Sequence, residues 1–407
     1  MAETVGVIGG GPAGIIAAGT AASNGRKVTL IEKNNKIGKK LYITGKGRCN
    51  ITNSSPIEDF FDNIVTNYQF LYSALYSFTN TDILNLLSKY GLKVKVERGN
   101  RVFPLSDKSS DVIKTFEKFL KDNGVEILFN FEVRNISKKG NKFMIMGKNG
   151  EKLFFDKIII CTGGKSYPST GSTGDGYNFA QNLGHRIIPL KPSLVPFETV
   201  ESWVKDLQGL TLKNVRLSAY SDGKKIYEDF GEMLFTHFGI SGPIVLTMSN
   251  YINKYDGKRI DLKIDLKPAL SIDKLDERIL RDFDLYKNKH ISNGLKDLLP
   301  KKMIPIILRL SKIDEEKFIN QITKEERNNI VDLIKSVPLT FKKFRPLEEA
   351  IVTSGGVSTL EINSSTMESK ILKGLFFAGE IIDIDGLTGG YNLQIAYSTG
   401  YLAGKNC

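Results

Sequence analysis

Apolar positions follow three patterns along the chain. Near the N-terminus, residues 4–8 form a short apolar run, residues 9–14 are glycine-rich, residues 15–23 are small and apolar, and residues 27–31 are apolar again. That order predicts a buried strand, a turn, a buried helix and a second buried strand. Helical periodicity follows around residues 70–78, 81–89 and 110–123, an extended stretch at 94–102 and a strand at 125–129. Residues 142–146 and 152–155 flank Asn149-Gly150, which predicts a hairpin, and residues 157–161 read as a further buried strand. Residues 34–56, rich in Gly, Lys and Asn, read as a long functional loop.

The pattern changes after Gly184. Pro189, Pro192 and Pro196 predict a linker. Val215, Leu217 and Ala219 then alternate with polar residues, Asp222-Gly223 makes a turn, and Ile260, Leu262, Ile264 and Leu266 alternate with charges. Residues 271–337 read as helical, with Thr323-Lys324-Glu325-Glu326 as a capping box. Beyond Pro338 the glycine-and-strand character returns, with a buried run at 375–378. The expected architecture is α/β. A Rossmann-like domain is built from both chain ends (1–190 and 338–407), interrupted by a β-rich module (191–268) and a small helical module (269–337).

Composition narrows the reading. Glycine makes up 38 of 407 residues, about 9% against a usual ~7%. Cys49, Cys161 and Cys407 lie far apart with no Cys-x-x-Cys, so neither a disulfide framework nor a zinc site organises the fold, and a reducing, cytoplasmic setting is expected. Residues 5–23 carry no charge, but six glycines and a proline in that stretch, preceded by Glu3 in place of a basic segment, argue against a membrane helix or a signal peptide.

The chemistry concentrates at the two ends. Gly9-x-Gly11-x-x-Gly14 follows a strand and opens a helix, the spacing that brings a diphosphate to a helix N-terminus. Glu32 ends the second strand, placed to accept hydrogen bonds from ribose hydroxyls and to disfavour a 2′-phosphate. A second motif, Gly374 to Glu380, is a buried strand ending in Gly379-Glu380. Its pairing with the distant N-terminal glycines separates FAD from NAD, the acid serving a ribityl hydroxyl. A third, Thr388 to Ala396, is a glycine pair opening a helix whose N–H groups are expected over the flavin pyrimidine edge.

With these motifs in view, the chain resembles the three-domain bacterial NAD(P)/FAD-dependent oxidoreductases, whose members include aminoacetone oxidases and bile-acid Δ4,6-reductases. The resemblance spans nearly the whole chain. It rests on Gly45-Lys46-Gly47-Arg48-Cys49-Asn50-Ile51-Thr52-Asn53, on Thr162 to Pro168 with Gly171 to Gly176, on Gly231 to Pro243, and on Gly379-Glu380 to Gln394. It implies that residues 44–50 wrap the cofactor near the flavin, with Arg48 neutralising diphosphate or reduced-flavin charge. Lys46, where many members carry Gly or Asn, adds a second cation. The cofactor-binding set it implies is Gly9, Gly11, Pro12, Ala13, Gly14, Glu32, Lys33, Lys40, Thr44, Gly45, Lys46, Gly47, Arg48, Asn50, Val133, Thr162, Gly163, Gly379, Glu380, Gly390, Tyr391, Asn392 and Leu393. No catalytic acid or base is assigned. Cys49 reads as packing ahead of redox chemistry. His237 is either a general acid near the flavin or a buried, hydrogen-bonded structural residue, and Tyr391 either positions substrate or packs.

The function expected is FAD-dependent hydride transfer on a small organic substrate, with NAD(P)H as a transient reductant. The alternative is an FAD-containing RNA-modification or nucleic-acid-binding protein, and a redox-silent scaffold is a third reading. The net charge of +12 permits the alternative, but residues 271–337 hold 14 Lys or Arg against 12 Asp or Glu, too balanced for a nucleic-acid arm. No nucleic-acid or membrane partner is therefore expected.

Overall fold

The computed structural model describes residues 2–255 and 257–407. The chain divides into two compact units, one formed by Met1–Ser193 with Leu347–Cys407 and the other by Leu194–Pro346.

The first unit is built on a five-stranded parallel sheet. Its strands are β1 (Thr4–Ile8), β2 (Lys27–Ile31), β3 (Glu126–Leu128), β4 (Lys157–Ile160) and β5 (Leu375–Phe377), in the spatial order β5-β4-β1-β2-β3. β1 and β4 are buried almost throughout, as parallel strands covered on both faces must be. Helix α1 (Pro12–Ser23) joins β1 to β2, and helix α2 (Tyr391–Asn406) closes the chain. The two helices pack closely because both are lined with small residues: side chains at Gly400 or Gly404 would overlap the Ala13 and Ala17 carbonyl oxygens. Sheet order reverses between β1 and β4, the switch point where such folds bind ligands beyond the carboxyl ends of the strands. Gly9, Glu32, Thr162 and Glu380 all follow those ends in sequence.

The expected hairpin is present, Lys142–Gly147 pairing with Lys152–Phe155. Two expectations change. Residues 34–56 contain a helical turn at Lys39–Ile43 and a short strand at Thr52–Asn53 that pairs with Arg101–Pro104. The proline-marked linker is largely a strand, Ile187–Ser193, antiparallel to Val352–Val357, because Pro189 and Pro192 fall on a two-stranded ribbon where edge N–H groups are dispensable, with Pro196 beyond its end.

The second unit is a closed six-stranded barrel in the order Phe197–Thr199, Gly239–Ser241, Lys224–Phe235, Thr211–Ser221, Ile260–Asp265, Val337–Phe344. The alternating residues Leu217, Ala219, Ile260, Leu262 and Ile264 fill its interior. The helices at Ile272–Leu285, Met303–Ser311 and Lys324–Lys335 share one apolar core with the barrel. The strand at Val337–Phe344, expected at the start of the returning domain, completes this barrel by pairing with Phe197–Thr199.

Candidate functional site

β1 ends in a turn that leaves a cradle. Gly9 adopts φ +105, and its N–H donates to the Ile31 carbonyl at 2.8 Å. A side chain at Gly14 would overlap the Gly9 carbonyl oxygen, so only glycine lets α1 start this close to β1. Gly11, the N-cap, has open space where a side chain would be, and no side chain caps the helix. The first N–H groups of α1 thus meet no capping side chain, the kind of helix end that suits an anion.

Glu32 is buried, and both carboxylate oxygens hold this turn together. Oε2 accepts the Gly10 N–H at 2.7 Å, while Oε1 accepts the Asn34 N–H at 2.8 Å and its side-chain amide at 2.7 Å. Lys33 pairs with Asp175 at 2.7 Å and also donates to Thr173. Thr162, after β4, has a buried hydroxyl with no hydrogen-bond partner among the described residues. That hydroxyl lies against Gly176, in the first turn of the helix Asp175–Asn182, while the uncapped α1 N-terminus over the glycine turn is the donor set a diphosphate would complete. The residues here therefore fit FAD.

Glu380 follows β5. Its carboxylate accepts from Lys40 Nζ at 2.9 Å, from the Thr353 N–H at 2.9 Å and from the Ser166 hydroxyl at 3.2 Å; Lys40 also donates to Ser166 Oγ at 2.6 Å. Gly379 N–H is anchored on Thr399 Oγ1 at 3.0 Å. Ser166 lies inside a motif legible in the sequence, whereas Thr353 is brought to the site by the ribbon strand and carries no local signal.

In the 44–50 loop, Gly45, Lys46 and Gly47 all take positive φ, of 57°, 59° and 85°. The Thr44 hydroxyl donates to the Leu41 carbonyl at 2.8 Å, and the Thr44 carbonyl accepts the Cys49 N–H at 3.0 Å. Lys46 is exposed. Arg48 is turned to other acids, donating to Glu97 at 2.8 Å and Asp107 at 3.2 Å, with its guanidinium 4.0 Å from the Phe103 ring centroid. Hydrogen bonding to Glu97 first and Asp107 after it raises the Arg48 pKa; the same bond lowers the Glu97 pKa, while Asp107 is lowered chiefly by its hydrogen bond from Lys95, with Arg48 adding to it. Its role in the structure is to fasten the loop to the Val94–Glu97 and Arg101–Pro104 hairpin.

Asn50, with its amide oriented to satisfy both ends, donates to the Thr52 carbonyl at 3.2 Å and accepts the Gly390 N–H at 3.1 Å. That N–H, expected over the flavin, therefore has a protein partner. A side chain at Gly390 (φ +104) would overlap Thr52, so the start of α2 is seated directly on the early loop. Asn392 ties the preceding turn, accepting from Gly386 N–H at 2.9 Å and donating to the Gly386 and Leu387 carbonyls. Tyr391 packs edge-on against Phe60 at 5.0 Å, and Leu393 lies against the core. Val133 opens a strand opposite Gly147 and is half-buried.

Two expectations about single residues resolve. Cys49 is fully buried, which pushes its thiol up to about 12, a packing residue's environment. His237 is exposed on a turn built by Thr236 Oγ1, which accepts the Phe238 and Gly239 N–H groups, so it is not a buried structural histidine.

A parallel α/β sheet with a dinucleotide cradle at its switch point and an acid at the end of a C-terminal strand is the architecture of a flavin-dependent oxidoreductase of the FAD-binding type. The HI0933-like protein Rossmann domain family matches residues 3–406, and the chain belongs to it. It is 32% identical over 405 residues to the 3-dehydro-bile acid delta(4,6)-reductase of Clostridium scindens, covering 98% of both chains. It is also 32% identical over 400 residues to the ribosomal RNA dihydrouridine synthase of Haemophilus influenzae, covering 97% of this chain and 96% of that one. Among solved structures, an open-conformation flavocytochrome c3 fumarate reductase shares the fold, with a TM-score of 0.52, 18% identity and coverage of 100% of this chain and 78% of that one.

Proposed function

We propose that the protein reduces a carbon–carbon double bond conjugated to a carbonyl in a small organic substrate. The observation that carries this is the full-length relationship to a 3-dehydro-bile acid delta(4,6)-reductase, whose name describes that bond, together with the FAD cradle. FAD held there would supply two-electron chemistry, with NAD(P)H as the hydride source, the substrate's β-carbon as the hydride acceptor and a proton from solvent completing the reduction at the α-carbon.

The α1 N-terminus with Gly9, Gly11, Pro12, Ala13 and Gly14 takes the diphosphate, and Thr162 and Gly163 line the same end of the sheet. Glu32 takes the adenosine ribose and fixes the turn in one step, with Lys33 holding the neighbouring segment and Val133 offering backbone to the adenine. Glu380, its charge balanced by Lys40, faces the ribityl chain. Residues 44–50 and 390–393 bound the flavin.

A second reading applies the same chemistry to the uracil ring, whose reducible double bond is also conjugated to a carbonyl. The ribosomal RNA dihydrouridine synthase relative favours it.

Anaerobic stopped-flow separates the two. The flavin absorbance should bleach with NADH or NADPH. It should then return on adding a 3-oxo-Δ4 steroid acid, or, under the second reading, a uridine-containing RNA. A reduced protein reoxidised by oxygen alone contradicts both.

A further inference from the structure

We propose that the helical part of the second unit carries a surface for single-stranded RNA, centred on Tyr286, Lys287, Lys289 and Lys296. This inference rests on the second reading above.

The near-neutral charge of residues 271–337 is an average over segregated parts. Residues 286–312 hold seven Lys or Arg and a single acid, Asp297, whereas residues 271–285 hold three against five and residues 313–337 hold four against six. In the flanking segments much of that charge is paired internally: Arg327 with Asp276 at 2.7 Å, Arg278 with Asp282 at 2.9 Å, and Lys317 with Glu326 at 2.6 Å. Of the seven cations between them, all exposed, only Arg309 has an acid in ion-pair range among the described residues, Asp206 at 3.4 Å. The apolar residues of this stretch, such as Met303, Ile306 and Ile307, are buried, so the fold sorts core from charge and leaves the lysines outward.

Aromatic groups stand among these cations. Lys289 and Lys296 lie 5.5 and 4.4 Å from the Tyr286 ring centroid, and the Tyr286 hydroxyl donates to Asp297 at 2.8 Å, occupying the one acid of residues 286–312. The adjoining His290 ring stacks on Phe318 at 4.7 Å and 26°, with Phe318 42% exposed. Backbone bonds from Ile319 to Lys289 and from Asn320 to Lys287 fix this stack beside the lysines. Glu316 meets the stack, its carbonyl oxygen 2.6 Å and its carboxylate 3.4 Å from His290 Nδ1. Cations spaced around a half-buried Tyr286 and an exposed Phe318 match a strand that offers phosphates and unstacked bases together; a lipid surface would meet the charge and leave the rings unused.

The test measures anisotropy of a labelled single-stranded oligouridylate with the FAD-loaded protein, from about 50 to 200 mM KCl. At roughly 0.7 of log–log slope per neutralised phosphate, three to four contacts predict a loss of about 15- to 60-fold over that range. The triple variant Lys287→Gln/Lys289→Gln/Lys296→Gln should flatten the slope by about 2. Phe318→Ala should weaken binding about fivefold or more with the slope unchanged. Three results overturn the proposal: no RNA binding at low salt, a triple variant that binds like the wild type, or lysine-dependent binding to phosphatidylserine vesicles in preference to RNA. Dihydrouridine content is assayed separately. RNA held through these lysines with no uridine reduced removes the second reading and leaves the surface. Uridine reduced equally well by the triple variant removes the surface and leaves the reading.

Discussion

Glu32 shows how one side chain joins fold to cofactor. Its carboxylate organises the Gly10–Asn34 turn and is assigned the adenosine ribose. Glu32→Gln should raise the FAD dissociation constant by roughly 10- to 150-fold, the equivalent of about 1.5–3 kcal/mol for hydrogen bonds to a charged group. Equilibrium titration of apoprotein measures it, and wild-type affinity in the variant would contradict the ribose assignment. The buried His185 makes a second residue-scale case. Its Nε2 lies 2.9 Å from Ser369 Oγ, and its Nδ1 lies 3.3 Å from a Glu361 carboxylate oxygen. Burial outweighs the carboxylate and lowers its pKa, so the unfolded chain takes up the proton first. Stability should therefore be full above the ordinary histidine range and fall as pH drops through about 6.5 toward the folded value. Urea unfolding at pH 7.5 and 5.5 should show this loss, and His185→Gln should reduce it. The three buried cysteines add a simple check: a thiol reagent should find none in the native protein and all three after unfolding.

At the scale of elements, the contact between β1 and α1 decides whether a cradle exists. Gly14→Ala sets a methyl group against the Gly9 carbonyl, and backbone atoms cannot swing aside as a side chain could. The helix must shift, at a cost of at least about 2 kcal/mol, and the variant should purify without bound flavin. Flavin retained at the wild-type ratio would show that the turn has slack the structure does not. The early loop is a second such element. Arg48 holds it to the Val94–Glu97 and Arg101–Pro104 hairpin through half-buried ion pairs with Glu97 and Asp107. Arg48→Ala should accordingly leave the flavin midpoint potential near its wild-type value, measured against a reference dye. A fall of about 30 mV or more would place the guanidinium at the ring after all.

For the whole molecule, two units with separate cores predict two unfolding transitions. FAD at about a hundred times its dissociation constant adds about 2.7 kcal/mol to whatever binds it. Calorimetry should show one transition moving with FAD and the other fixed. Two transitions that move together would mean the cofactor is shared by both units.

The sequence by itself determined what short-range order carries. The βαβ unit with its glycines, the hairpin at Asn149-Gly150, the alternating strands of the barrel and the capping box at Thr323 each depend on residues adjacent in the chain, so pattern and stereochemistry suffice. The cofactor motifs were legible for the same reason: Gly14 and Glu32 sit at fixed distances from one strand. Tertiary structure decided the partners. No spacing predicts that Thr353 donates to Glu380, that Asn50 takes the Gly390 N–H, or that Glu97 and Asp107 claim Arg48, because those residues meet only after distant segments pack. Closure of the barrel by Val337–Phe344 is of that kind too, since a strand's last neighbour is fixed by the shape the others have already made. Local pattern sets what each segment can be. Which side chains face one another, and so which charges are spent on the fold and which remain for a ligand, depends on contacts between residues from 27 positions apart, as Thr353 and Glu380 are, to more than 300, as Asn50 and Gly390 are.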